Sequence, residues 1–466
     1  MGGTKRRVQV SAAAVGVTVL LAACGSDGGG GGGGDDGGPL TVWTLENLPD
    51  RLAAQQEIAA AFSESSGIEV DLVGIDEDQF NQLLTSSAAA GELPDVVGAL
   101  PLAGVQALAA NELVHPDVAA AVVEELGADT FAEQALELTR DGDAQLAVPS
   151  DAWAQLLVYR KDLFDAAGLP APETYEDILA AAQALDSPGT AGFTGATAPN
   201  DAFTQQTFEH LALGNGCQLV DDGGEVTLDS DRCVAAFDFY DRLISDYSVS
   251  GAQDVDTTRA AYFAGQAAMV VWSSFILDEM AGLRADALPT CPECAADPAF
   301  LAKNSGVVTA ISGPDGDAPA QFGEIVSWAV TADAQTSAAD FVTYMMEDGY
   351  EQWIGFSPEG KVPTRRGTAD EPTRFIDAWA TLPAGVDTKA PLSDFYSPEV
   401  LDALRNAPDT ISPWGIPQGQ GALVGASLGE LPVPQAIAAM TGGEVDPSGA
   451  AQQAAEALRE IASSLD

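Results

Sequence analysis

The sequence predicts an α/β fold built as two lobes, and three observations predict it. Strand-like and helix-like segments alternate from Leu40 onward, the order that gives a parallel sheet with crossover helices. About 425 residues follow that point, more than a single core of usual size accommodates. No internal repeat and no second long apolar run suggests another architecture.

Leu40 to Leu45 reads as a strand, and Pro49-Asp50 opens a helix in which Ile58 and Phe62 lie one turn apart and Gly67 is the stop. Ile68, Val70 and Leu72 alternate with Glu69 and Asp71, the period of a half-buried strand. Phe80, Leu83 and Leu84 mark a second helix, Asp95 to Ala99 a third strand, and Leu102 to Asn111 a third helix. A second region begins near Val148, with a short buried strand at Leu156 to Tyr159 and a helix start at Lys161-Asp162. Helices are expected over Glu173 to Leu185, Asp231 to Ile244 and Ser448 to Ser463. Beyond Pro289 the pattern turns irregular until that last helix.

The chain opens with Lys5, Arg6 and Arg7, continues through apolar Val8 to Leu20 and reaches Leu21-Ala22-Ala23-Cys24. The apolar stretch is shorter than a spanning helix needs and ends in small residues, the signature of a signal peptide over residues 1–23. LAAC followed by Gly25 is similar to a bacterial lipobox, which implies diacylglycerol on Cys24 and a lipid anchor on the outer face of the cell membrane. Residues 24–39 are nearly all Gly, Asp and Ser and read as a flexible tether.

Seventy acidic residues against 19 basic ones give a formal charge of −51, and loss of the three cationic leader residues takes it to −54. Such a surface repels nucleic acid and anionic membrane, and its self-repulsion is relieved by salt, which hints at a saline habitat. A hydrophobic content of 46% removes the signature of disorder. The four cysteines after Cys24 form an even set suited to an oxidising compartment, and the nearest-neighbour pairing is Cys217–Cys233 with Cys291–Cys294. A loop of the first spacing contributes about 3 kcal/mol in the chain-entropy model. A redox role for Cys291-Pro-Glu-Cys294 lacks the strand-then-helix setting such sites use. No metal site is expected, since His115 and His210 are the only histidines and no second CxxC exists.

Six stretches in order carry a family resemblance: TVWTLEN at 41–47, the helix ending FSESSGIEV, GELPDVV at 91–97, LAVPSDAWAQLLVYRKDLFDAAGL at 146–169, PETYEDILAAAQAL, and FAGQAAMVVWSSF at 263–275. They resemble the bacterial extracellular solute-binding protein family 1, the class that includes maltose-binding protein, from Leu40 almost to the C-terminus. The resemblance implies a type II periplasmic-binding-protein-like fold with a hinge and an interlobe cleft. It implies discontinuous lobes, 40–149 with about 322–372 and 150–321 with about 373–466, crossed near Pro149, Ser312 to Gln321 and Pro372. It also implies an ABC importer component, a monomer without cofactor, that captures a small polar solute such as a sugar or oligosaccharide and passes it to a membrane permease. The third strand departs from maltose-binding protein, ending in Ala99-Leu100-Pro101 where that protein offers an aromatic and charged side chains.

Sugars present apolar C–H faces rimmed by hydroxyls, so the candidate residues are aromatic planes with planar polar partners. Glu46 and Asn47 follow the first strand, where the family contacts its solute, or are a solvated turn. Asp151 and Trp153 lie at the lobe crossover, and Trp272 and Ser273 follow the apolar Ala-Met-Val-Val run. Trp328 is equally readable as core and Arg365 as surface, while Trp414, between Pro413 and Gly415 in a loop without periodicity, is hard to explain as packing. Trp153, Trp272 and Trp414 are expected to face one cleft. The alternative class is a secreted, lipid-anchored carbohydrate-active hydrolase. Against an enzyme, no G-x-S-x-G is present and neither histidine neighbours a nucleophile motif, while paired carboxylates are inevitable among 70 acids.

Overall fold

The structure, a computed structural model, describes residues 38–465. Cys24, the leader and nearly all of the tether lie outside the described residues. The first layer is laid down as β1 (Leu40–Thr44), α1 (Pro49–Ser66), β2 (Val70–Gly74), α2 (Glu77–Ala90) and β3 (Val96–Pro101). β1 pairs in parallel with both β2 and β3, Val42 lying opposite Leu72 on one side and Val96 on the other. Parallel pairing requires a crossover each time, and α1 and α2 supply it. Proline at the start of α1 has its missing N–H where no partner is needed, and Gly67 at its end takes a left-handed φ of 78°, donating its N–H to the Ser63 carbonyl.

After α3 (Leu102–Ala110) the chain reaches β4 (Val148–Arg160), whose 13 residues serve two neighbourhoods. Its first half runs antiparallel to β7 (Gly323–Val330), from Val148 opposite Trp328 to Ala154 opposite Gly323, and Ala152 pairs with Val362 of β8 (Val362–Pro363). Its second half pairs with β5 (Met269–Ser273) and β6 (Ser305–Val308), Gln155 opposite Ser273 and Leu157 opposite Val308. β7 closes the sheet against β3 through a register shift between Val97 and Leu100, where Ala99 has φ 57°. The segment joining β6 to β7, residues 309–322, is therefore the return connection.

Two hydrophobic clusters lie against this sheet, and β4 feeds both. Leu156 and Val158 belong to the first cluster and Leu157 to the second, as the period of two along a strand dictates. The first holds Val42, Phe62, Leu100, Phe341 and Trp353, together with Phe375, Leu392 and Leu401. The second holds Phe208, Phe237 and Leu458 from α4 (Ala202–Gly214), α5 (Asp231–Tyr247) and the last helix, Pro447–Leu465. Residues 202–273 thus contribute α4, α5, α6 (Val255–Phe263) and β5, followed by the short α7 (Ile276–Met280).

The expected helix at Glu173 begins at Tyr175 instead, because Thr174 caps it by accepting from the Asp177 N–H at 3.1 Å. The region past Pro289 is more regular than its pattern suggests, holding β6, β7 and helices Ser337–Met346 and Pro432–Thr441. These elements are short, and four of the eight β7 residues in a row are buried, so no alternation survives at that end. Cys217 bonds Cys233 at an S–S distance of 2.06 Å and Cys291 bonds Cys294 at 2.01 Å. Among the described residues no single helix is long and apolar enough to cross a membrane.

Candidate functional site

A cavity of about 320 Å³ opens where β4, β5 and the N-terminal ends of α4 and α6 meet. Its walls carry four aromatic rings, Trp153, Phe203, Trp272 and Phe275. Between them lie three polar side chains, Asp201, Gln206 and Ser273. Trp153 is half-buried, held edge-on against Phe322 at 5.7 Å. Trp272 is 7% exposed, donates its indole N–H to the Val255 carbonyl at 3.2 Å and tilts against Phe203 at 5.7 Å. One ring is therefore free to present a face, and the other is fixed in orientation by its own hydrogen bond.

Asp201 explains why α4 and α6 start beside each other. One carboxylate oxygen accepts from the Phe203 N–H at 2.9 Å and caps α4; the other accepts from the Val255 N–H at 3.0 Å. A single side chain thus caps α4 and ties to it the start of α6, which Asp254 caps. Ser273 arrives through strand register, opposite Gln155 of β4.

Beside the cavity lies a charge network that joins two residues read from the sequence. Glu46 binds Arg51 at 2.8 Å and Lys361 at 2.6 Å, and Lys361 reaches Asp151 at 3.2 Å. Asp151 is fully buried, accepting from the Trp353 indole at 2.6 Å and the Ser150 hydroxyl at 2.6 Å. Burial alone would raise the Glu46 carboxyl, but Lys361 and Arg51 outweigh it and hold it at about 2. Arg51 lies over the Phe275 ring, 5.5 Å from its centre, which links this network to the cavity wall. Asn47 is half-buried in the same loop, its N–H donating to the Leu45 carbonyl at 2.9 Å.

Three candidates lie elsewhere. Trp328 is 1% exposed and packs on Trp353 at 4.7 Å and Phe341 at 6.0 Å, over Gly98, where any side chain would strike the indole. Arg365 is 1% exposed and donates to the carbonyls of Met346 at 2.6 Å and Leu126 at 2.9 Å, closing the ends of two helices. Burial lowers its pKa. Trp414 does not join Trp153 and Trp272: it is 1% exposed in the second cluster, its indole donating to the Cys217 carbonyl at 2.9 Å and its ring edge-on to Phe208. The reason is that Cys217 and Glu209, whose carboxyl accepts from the Trp414 N–H at 2.7 Å, supply polar partners inside a core. A place between Pro413 and Gly415 in a loop therefore did not mean solvent or ligand.

Phe203, Phe275, Asp201 and Gln206 were not singled out from the sequence. Phe275 ends the FAGQAAMVVWSSF stretch, and Asp201-Ala202-Phe203 carries a helix-start signal, so both were within reach of a reading that followed strand and helix ends. Among the described residues no group of three His, Cys, Asp or Glu side chains is placed to hold a metal ion.

A cavity with aromatic walls beside a strand shared by two α/β cores defines a two-lobed binding protein. The chain belongs to the bacterial extracellular solute-binding proteins, whose family model matches residues 46–352. It is 27% identical over 334 residues to the Escherichia coli (strain K12) protein named "Putative ABC transporter periplasmic-binding protein YcjN", covering 70% of this chain and 72% of that one. Solved structures of low sequence identity share the fold. The GacH receptor of Streptomyces glaucescens, described unliganded and with acarbose, superposes with a TM-score of 0.65 at 21% identity over 90% of this chain and 98% of its own. Maltose-bound MalE3 of T. maritima gives 0.66 at 18% identity over 90% and 99%.

Proposed function

We propose that this chain is the lipid-anchored, extracytoplasmic substrate-binding component of an ABC importer, which closes about β4 on a sugar or oligosaccharide and delivers it to a membrane permease. The observation that carries the solute class is the ring of Trp153, Phe203, Trp272 and Phe275 around Asp201, Gln206 and Ser273. Aromatic planes match the C–H faces of a pyranose, and planar or hydroxyl groups between them match its rim. The acarbose and maltose complexes of the two structural neighbours support the same class, and the name of the E. coli relative supports the importer. Lipid anchoring rests on the LAAC-Gly sequence at Leu21 to Gly25.

A hydrolase reading gains nothing from the cavity. Glycoside hydrolysis usually takes a pair of carboxyl groups, whereas the wall offers Asp201, whose two oxygens already accept from backbone N–H groups. The test is a thermal-shift screen of the purified chain over monosaccharides, oligosaccharides and polyols, followed by calorimetry. A ligand at 100 times its Kd raises stability by about 2.7 kcal/mol. Failure of every carbohydrate to shift the melting temperature, or turnover of a glycan by the chain alone, overturns the reading.

A further inference from the structure

We propose a second small-molecule site, separate from the sugar cavity and independent of the sugar reading: a pocket between the start of α1 and the end of α7 that takes a small organic cation, a primary ammonium on a compact apolar body, between the carboxyl groups of Asp278 and Glu359. The pocket measures about 160 Å³. An apolar cavity of about 150 Å³ accepts benzene, which sets the size of guest.

The two carboxyl groups line this pocket and are 1% and 3% exposed. Asp278 Oδ1 and Glu359 Oε2 have no hydrogen-bond partner among the described residues. The other Glu359 oxygen accepts from the Ser357 hydroxyl at 2.6 Å. Buried acceptors left unanswered are costly, and a donor supplied by a guest is the direct remedy.

Two arginines also line the pocket; each makes its ion pair with another acid, while its charge also reaches Asp278 or Glu359. Arg51 pairs with Glu46 at 2.8 Å and donates to Ser357 at 2.9 Å; Arg284 forms a two-toothed pair with Asp286 at 3.3 and 3.1 Å. On the helix of Asp278 itself, Glu279 is paired with Arg259 at 2.8 Å. Tyr396, packed against the same helix, spends its hydroxyl proton on the Leu277 carbonyl at 2.6 Å. Asp50 stands at the rim. Asp278 and Glu359 thus form no ion pair among the described residues, and the nearby charges of Arg284 and Arg51 only partly offset their burial. Burial, then the facing Glu359, pushes Asp278 up to about 8, and burial likewise raises Glu359. At neutral pH the pair holds a proton that an ammonium guest replaces, the proton leaving to buffer.

The mouth suits an apolar body. Leu48 and Val386 line the pocket and are 47% and 46% exposed, two of five large hydrophobic side chains so exposed among the described residues, and Phe356 forms another wall. The carboxyl groups lie behind this rim, so a guest enters tail outward and head inward.

The experiment is isothermal titration of the purified chain with benzylamine hydrochloride, with benzyl alcohol as the neutral isostere, in phosphate and in Tris at pH 7.5. Benzylamine is expected to bind saturably at least tenfold more tightly than benzyl alcohol, and the difference in heat between buffers is expected to show proton release. Affinity should rise with pH up to about 8. Asp278→Asn and Glu359→Gln should each weaken benzylamine at least tenfold; both amides preserve shape, and melting temperature reports whether the variants fold. No saturable binding, equal binding of the alcohol, or unchanged affinity in a folded Glu359→Gln protein overturns the proposal. So does a shift produced by calcium or potassium chloride in place of the amine.

Discussion

Trp414 and Trp153 are both indoles expected from the sequence to face the cleft, yet they occupy opposite situations. Trp414 is enclosed, with its N–H answered by Cys217 and its ring by Phe208, whereas Trp153 is half-buried with Phe322 on one edge and the cavity beyond. Trp328 and Trp272 repeat the contrast, the first sealed over Gly98, the second on the cavity wall. The difference teaches that open volume beside the ring, not the fate of its N–H, separates the two roles: Trp272 on the cavity wall donates to Val255, while the N–H of enclosed Trp328 has no partner among the described residues. The carboxyl groups differ as well: Glu46 is held between Lys361 and Arg51, and Asp278 lines a pocket together with another acid, Glu359.

The strongest way to break this contrast is truncation of the enclosed rings. Trp414→Ala and Trp328→Ala should each cost about 3 to 5 kcal/mol of stability, the range for large core deletions, seen as a fall in the denaturant midpoint. If either variant keeps wild-type stability and loses ligand binding instead, the division fails.

The carboxyl contrast predicts pH slopes of opposite sign. Glu46 titrates at about 2 in the folded chain against an ordinary 4.5, so the stability it contributes is present above pH 4.5 and lost as pH falls toward 2. The loss is on the order of 3 kcal/mol, and Glu46→Gln should flatten that limb. Asp278, raised above its ordinary 3.8, works the other way: stability falls as pH rises from about 4 through about 8, and Asp278→Asn should reduce that slope, the rest coming from Glu209, Glu279 and Glu359, which burial also raises. Unfolding midpoints measured from pH 2 to 9 check both.

On the cavity side, Trp153→Ala should weaken carbohydrate binding by about 1 to 3 kcal/mol while lowering stability less than Trp414→Ala does. Trp272→Ala should lose affinity too, with a larger stability cost than Trp153→Ala because its ring packs on Phe203 and beneath Arg259. Calorimetry beside thermal melts separates the two effects.

The smallest effect sharpens the enclosed pair. Trp414→Phe strands the Cys217 carbonyl and should cost about 1 kcal/mol more than Trp328→Phe, whose indole N–H has no partner among the described residues to lose. Equal costs would show that hydrogen bonding does not distinguish the two rings.

The sequence by itself determined the α/β class, the positions of β1, α1, β2, α2 and β3, and the family. Each rests on local information: a period of two at Val70 and Leu72, a proline start and glycine stop around α1, short motifs in fixed order. Close spacing along the chain also suggested the two cysteine pairs that are bonded in the structure. Which indole faces the cavity was not local. Trp414 is enclosed because α4 and the loop ending at Cys217, about 200 residues earlier, bring Glu209, Phe208 and a free carbonyl to it. Asp151 and Glu46 became partners because Lys361 lies between them, and Arg365 became a clasp on two helix ends. A side chain's role depends on what satisfies its polar atoms and how much volume lies beside it, and those quantities are fixed by long-range contacts that only the tertiary structure supplies.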